Sequence, residues 1–154
     1  MKETCKPDLM TERWESLKAA IISSLSFLLV FIFASIINRF LLKQYFQELN
    51  NVSIIATNWH WFISFGIAGF SGFLFGVTYR YIIREDKNLQ LKSGSVLAFG
   101  LVRGLAQVDI SLNYSLSILS LAVIGLESIL EFAIAAFILD RAIKFSWVKP
   151  FFGE

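Results

Sequence analysis

Three charged side chains stand inside long apolar stretches of this sequence: Arg103, Glu127 and Glu131. A charge in an apolar environment is costly, by about 2.5–3.5 kcal/mol on membrane-insertion scales, so each should face the protein interior and a partner. Glu127 and Glu131 are four residues apart, which places both carboxylates on one face of a helix. An arginine beside two carboxylates can form a structural ion pair, or it can hold a site where the two glutamates share one proton.

Counting along helices places the three groups at similar depths. Arg103 lies eleven residues after Lys92, and Glu131 lies nine residues before Asp140. At the rise of an α-helix these separations are about 16 Å and about 13 Å, and Glu127 lies at about 20 Å. Arg103 therefore falls between the two carboxylates, and we predict a buried charge cluster. Two interpretations remain open, a clasp between the third and fourth helices or a proton- or ion-responsive site.

The other chemistry-bearing residues are few. His60 stands between two tryptophans and could ligate chlorophyll or haem through a ring nitrogen, or serve as an interfacial polar residue. No cofactor is required by the sequence. A metal centre is not expected, because di-metal carboxylate bundles need Glu-x-x-His elements that this chain lacks. No catalytic motif is present and Cys5 is the single cysteine, so we expect neither an enzyme nor a disulfide scaffold.

The elements that must position these residues are membrane helices. Hydrophobic residues make up 56% of the chain and charged residues 17%, with a mean hydropathy of +0.63. A soluble domain has about a quarter charged residues. We predict an all-α integral membrane bundle of four transmembrane helices, at about residues 17–42, 59–81, 93–108 and 115–141. The third is short and could be re-entrant, and residues 7–17 form either a helix on the membrane surface or a frayed tail.

The positions of Lys and Arg predict the orientation of the bundle. With both termini in the cytoplasm, eleven basic residues of the loops and termini lie inside and two lie outside. This asymmetry follows the positive-inside rule. The chain is therefore expected to lie N-in and C-in in a plasma or thylakoid membrane. A net charge of +2 without an aromatic-interleaved basic cluster argues against a nucleic-acid partner.

Small residues at four-residue spacing predict where helices pack closely. A small side chain lets another backbone approach, as in small-xxx-small motifs. Two helices carry this spacing, and we expect the second and third helices to be partners through it. These grooves either hold the bundle together or dock another subunit. The residues are Ser64, Ala68, Gly72 and Gly76 on the second helix and Gly100 and Gly104 on the third.

The second loop is the most basic segment and is predicted to lie in the cytoplasm. Its basic residues are Arg80, Arg84, Lys87 and Lys92. They form either an orientation signal that contacts lipid headgroups or a docking surface for an acidic partner. The surrounding run, YRYIIREDKNLQLKSGSVLAFGLVRGLAQVD, resembles that of small, largely uncharacterised integral membrane proteins of cyanobacteria and plastids. The resemblance implies a photosynthetic membrane and a role near its complexes, and it implies no site residues.

Together these features favour a non-enzymatic accessory, assembly or scaffold protein of a larger membrane complex. Its partners would be the lipid bilayer and other membrane-protein subunits. The alternative is a small proton- or ion-coupled transporter or channel that uses Arg103, Glu127 and Glu131.

Overall fold

The computed structural model describes residues 9–37, 58–83, 88–112 and 118–149. These residues form four α-helices: α1 (Leu9–Ile37), α2 (Asn58–Ile83), α3 (Leu89–Leu112) and α4 (Ile118–Lys144). The all-α class is confirmed. Three of the helices, α1, α2 and α4, are long and apolar enough to cross a membrane. The chain is therefore a membrane-protein candidate with a helical bundle.

Three helix boundaries differ from the sequence prediction by four residues or more, namely the start of α1 and both ends of α3. Helix α1 begins at Leu9, so residues 9–17 of the segment assigned to a separate surface helix or a frayed tail belong to α1, and residues 7 and 8 lie outside the described residues. No proline or glycine interrupts residues 9–18, and the bundle supplies partners for the polar side chains of this segment. Helix α3 spans Leu89–Leu112, so the predicted bounds of 93–108 are too short at both ends. Aspartate costs less in a helix than glycine or proline, so Asp109 does not by itself end α3.

The four helices run antiparallel to their main neighbours. α1 packs chiefly against α2 and α4, and α3 packs chiefly against α4. The start of α1 meets the end of α2 through Glu12 and Arg80, and the start of α3 meets the end of α4 through Lys92 and Asp140. One end of the bundle therefore holds the starts of α1 and α3 together with the ends of α2 and α4. We call it the charged end.

The glycines make the two tightest helix contacts, but not with the expected partners. A Cβ added at Gly76 would lie 2.6 Å from the carbonyl oxygen of Ala19, and one at Gly72 would lie 2.7 Å from Cβ of Phe27, both on α1. A Cβ at Gly100 would lie 2.8 Å from Cα of Ile129 on α4. The prediction that the second and third helices are each other's partners is therefore wrong. Instead, the glycines of α2 pack against α1, and Gly100 of α3 packs against α4.

The centre of the core is a layer of aromatic rings, one from each helix. The ring centroids of Phe27 and Phe132 are 4.6 Å apart, and those of Phe75 and Phe132 are 5.1 Å apart. Phe99 completes the layer at 5.3 Å from Phe75 and 5.7 Å from Phe132. Offset and tilted ring pairs at these distances are favourable beyond their buried area. We call these four rings the phenylalanine layer.

Candidate functional site

Arg103 and Glu131 form an ion pair in the interior of the bundle. Nε of Arg103 lies 3.5 Å from Oε2 of Glu131, and their side chains are 10% and 4% exposed. Neither of these two atoms has a hydrogen-bond partner, so the contact is electrostatic rather than a well-formed hydrogen bond. Helices α3 and α4 position the two groups, because the close approach at Gly100 brings the α3 backbone against Ile129.

The guanidinium of Arg103 also contacts the two remaining helices. Its Nη1 donates to Oγ of Ser71 on α2 at 3.4 Å. Its Cζ lies 5.2 Å from the ring centroid of Phe27 and 6.0 Å from that of Phe31, both on α1. A cation over an aromatic face is attracted by the ring quadrupole. One side chain of α3 therefore connects all four helices at the level of the ion pair.

Polar groups continue from the ion pair toward the end of the bundle opposite the charged end. Oγ of Ser128 on α4 donates to Oε1 of Gln107 on α3 at 2.6 Å. Glu127 lies one turn before Glu131 on α4 and is half-buried. Ser120 lies near the start of α4, about two turns before Glu127, and is fully buried. The structure thus brings Arg103 and Glu131 into contact and places Glu127 on the same helix as Glu131, one turn before it.

The phenylalanine layer separates this ion pair from the charged end. Phe99 precedes Arg103 by one turn of α3, and Phe132 follows Glu131 directly on α4, which runs toward the charged end. Phe75 and Phe132 are fully buried, and Ala135 and Leu139 fill the next turn of α4. The α4 side of the interior is thus apolar beyond the ion pair, and α1 adds the buried hydroxyl of Ser23 one turn beyond Phe27.

A second polar cluster lies at the charged end, centred on Arg80. Its side chain is completely buried. Its Nε donates to the backbone carbonyl of Lys149 at 2.9 Å, and its Nη1 donates to Oγ of Ser16 at 2.6 Å and to the carbonyl of Glu12 at 3.1 Å. Its Nη2 forms an ion pair with Oε2 of Glu12. We call this arrangement the Arg80 clasp, because it joins α1, α2 and the segment that follows α4.

The clasp corrects the predicted docking loop. Arg80 is not available to a partner, since it is buried inside the bundle. Lys92 is bound as well, because its Nζ pairs with the carboxylate of Asp140 at 2.8 Å. The hydroxyl of Tyr79 donates to the same carboxylate at 3.1 Å. Arg84 and Lys87 lie outside the described residues.

The segment after α4 is held in place by its backbone. Ser146 adopts a left-handed conformation with φ of 60°, and the amides of Ser146 and Trp147 donate back to the carbonyls of Ile143 and Ala142, each at 3.0 Å. This is a Schellman C-cap, a position where glycine is usual. Val148 is then fully buried, and the amide of Lys149 donates to Oε2 of Glu15 at 3.0 Å.

Sequence reasoning missed the Arg80 clasp. Arg80 stands next to a basic loop, so its charge was assigned to that loop. The available signal was Glu12 and Ser16, four residues apart on one face of a helix start. In an antiparallel hairpin, that face meets the end of the second helix.

The remaining predicted positions are placed as follows. Ala68 is fully buried, Gly104 packs beside Gly125 of α4, and Ser64 is exposed. His60 lies in the first turn of α2, and its side chain is outside the described residues. Among the described residues no group of three or more His, Cys, Asp or Glu side chains could hold a metal ion.

Comparisons with known proteins give no relative. No protein-family model matches the chain, and it matches neither a curated protein nor a solved structure at a significant level. The resemblance to membrane proteins of cyanobacteria and plastids stays a prediction, and the two polar clusters and the phenylalanine layer are the basis for inferring what the protein does.

Proposed function

We propose that this protein is a non-enzymatic accessory or scaffold protein of a larger membrane complex. The phenylalanine layer is the observation that carries the proposal. A transporter or channel needs a path through its centre, and here one ring from each helix closes that centre. Arg103 and Glu131 are bound to each other and to the surrounding helices, which suits a structural clasp.

In this proposal all four helices cross the membrane. Helix α3 has 24 residues, about 36 Å of helix, which exceeds the thickness of a bilayer core. Its inward-facing Arg103 and Gln107 lower its overall hydropathy, while Leu101, Val102 and Leu105 form an exposed apolar surface. Lipid would cover that surface.

The charged end would face the cytoplasm, which gives the N-in and C-in topology that the basic residues predict. Lipid and other membrane-protein subunits would then surround the apolar outer faces. A plasma or thylakoid membrane would fit, and a photosynthetic complex would be the partner if the resemblance of residues 79–109 reflects ancestry. Chlorophyll or haem at His60 is compatible with this role.

The test is purification of the tagged full-length chain from its native membrane in mild detergent, followed by mass spectrometry and an absorption spectrum. We expect stoichiometric recovery of one larger complex. A chain recovered alone, or only with itself, would contradict the proposal. An absorption band that disappears in the His60→Ala variant would additionally assign a pigment to this residue.

A flux assay distinguishes the alternative. Purified protein is reconstituted into vesicles that contain a pH-sensitive dye, and proton entry is followed after a pH step. We expect the same rate as in protein-free vesicles. A faster rate that is abolished by Glu131→Gln, and retained in the matched control Asp109→Asn at an exposed acid of α3, would overturn the scaffold proposal in favour of transport.

A further inference from the structure

At the charged end, the described acidic side chains are bound by the protein, whereas five basic side chains are exposed. The sequence alone does not show this difference. The three acidic side chains described there, Glu12, Glu15 and Asp140, all bind groups of the protein itself. Glu12 pairs with Arg80, Asp140 pairs with Lys92, and Glu15 accepts from the Lys149 amide and from Lys18. The acids of this end are thus used within the bundle.

Apart from Arg80 and Lys92, the described basic side chains of the same end lie on the outside. Five are exposed around its circumference, and we call them the basic rim: Arg13, Lys18, Arg141, Lys144 and Lys149. Lys18 stays half exposed although it pairs with Glu15. Among the described residues of the charged end, the exposed charges are therefore positive, while each acidic side chain is paired with a group of the protein.

Exposed aromatic side chains lie at the same end as the basic rim. Trp14, Phe145 and Trp147 are 63%, 68% and 71% exposed, and Tyr81 at the end of α2 is 42% exposed. Tryptophan and tyrosine prefer the headgroup region of a bilayer, since their rings are apolar and their N–H or O–H groups bind water. These rings indicate the depth at which the rim sits, which is the layer that holds lipid phosphates.

We propose that the basic rim binds anionic lipid headgroups in the leaflet that surrounds the charged end. The recognition is electrostatic, between exposed ammonium and guanidinium groups and lipid phosphates. It extends from the start of α1 to the segment after α4. Each basic side chain near an anionic membrane surface changes the binding constant by roughly fivefold.

Two tryptophans allow the two ends of the molecule to be compared. Trp147 lies at the charged end and Trp59 at the opposite end, and they are 71% and 70% exposed. Full-length chains that keep one of them, with the other three tryptophans changed to Phe, are reconstituted into vesicles of phosphatidylcholine and phosphatidylglycerol in equal amounts. One lipid at a time carries brominated acyl chains, which quench the fluorescence of tryptophan that they contact.

At Trp147 we expect brominated phosphatidylglycerol to quench several-fold more effectively than brominated phosphatidylcholine, and at Trp59 we expect the two to be equal. The preference at Trp147 should disappear in about 1 M salt, where screening acts within about 3 Å. Equal quenching by the two lipids at Trp147 would overturn the proposal, and an acidic protein would then be the better candidate for the rim's partner.

Two triple variants test the named residues. Arg141→Gln, Lys144→Gln and Lys149→Gln together should remove most of this several-fold preference, so that the two lipids quench Trp147 almost equally. Arg141→Lys, Lys144→Arg and Lys149→Arg together should retain it. All three side chains are exposed, and the Arg80 clasp uses only the backbone of Lys149, so both variants should fold. A glutamine variant that keeps the full preference would contradict the assignment.

Discussion

Arg103 is tolerated in the interior because several weak contacts replace its lost hydration. The carboxylate of Glu131, the hydroxyl of Ser71 and the rings of Phe27 and Phe31 surround its guanidinium. None of these contacts is short. Continuum arguments and experiments agree that a buried ion pair contributes little net stability, whereas breaking one by removing a single partner is strongly destabilising.

The Arg103→Leu variant should therefore be destabilised by about 3–5 kcal/mol, because it leaves Glu131 buried without a cation. The double variant Arg103→Leu, Glu131→Leu should recover most of that loss. Thermal unfolding in detergent, followed by circular dichroism, measures both. Equal destabilisation of the single and double variants would show that Arg103 contributes through packing rather than through the charge pair.

Arg80 has better hydrogen-bond geometry, and its replacement should cost at least as much. Arg80→Met removes the donors to Glu12, Ser16 and the Lys149 carbonyl and leaves the Glu12 carboxylate without its ion pair. We expect a loss of about 3–5 kcal/mol in the same unfolding assay.

The matched control for Arg80 is Arg13→Met. Arg13 is an exposed arginine of the basic rim, and its change should stay within about 0.5 kcal/mol of wild type. Similar stabilities of the two variants would contradict the structural role of the Arg80 clasp.

For individual residues, the sequence predicted contacts correctly where charged residues are rare. Depth counting along ideal helices brought Arg103 close to Glu131, because a charge inside an apolar block has few partners available. The sequence did not reveal the environment of Arg80, because a charged side chain near a helix end can reach either solvent or protein. Only its tertiary contacts with α1 and Lys149 show that it is buried in the protein.

At the scale of helices, the glycines decide how closely neighbours approach. Gly76 lies against the α1 backbone, and Gly66 on the same helix has no atom within 4 Å of an added Cβ. The spacing of small residues on the second helix was visible in the sequence. Its partner was not, because a flat groove formed by small residues fits the backbone of any helix.

The glycine contrast is testable with two alanine variants. Gly76→Ala places a Cβ 2.6 Å from the carbonyl of Ala19, so α1 and α2 must separate, and we expect a destabilisation of about 1–3 kcal/mol. Gly66→Ala meets nothing, and the higher helix propensity of alanine should stabilise it by up to about 1 kcal/mol. Chemical denaturation in mixed micelles compares them, and a Gly76→Ala variant as stable as Gly66→Ala would exclude the close contact.

For the whole molecule, the antiparallel arrangement places both described ends of the chain together. Thr11 and Lys144 lie at the charged end, and Asp109 lies near the opposite end of α3. The basic residues of the sequence indicate this arrangement. The short and less apolar third segment left two alternatives, a helix that crosses the membrane or a re-entrant one. The structure adds the continuous helix to Leu112.

Labelling of introduced cysteines from one side of the membrane tests this topology. In a Cys5→Ser background, Thr11→Cys and Lys144→Cys should react with an impermeant maleimide from the same side, and Asp109→Cys should react from the other. Thr11→Cys and Lys144→Cys reacting from opposite sides would show that α3 does not cross.

The docking of Lys149 on Arg80 has a consequence for the order of synthesis. The residues of the α1–α2 hairpin, with its glycine contacts and its Glu12–Arg80 pair, all precede α3 in the chain. The carbonyl of Lys149 reaches Arg80 only after α4 and its C-cap have formed. Until then Nε of Arg80 lacks this acceptor, so the α1–α2 hairpin alone is less stable than it is within the bundle. The last described residues thus stabilise the contact between the two helices that come first in the chain.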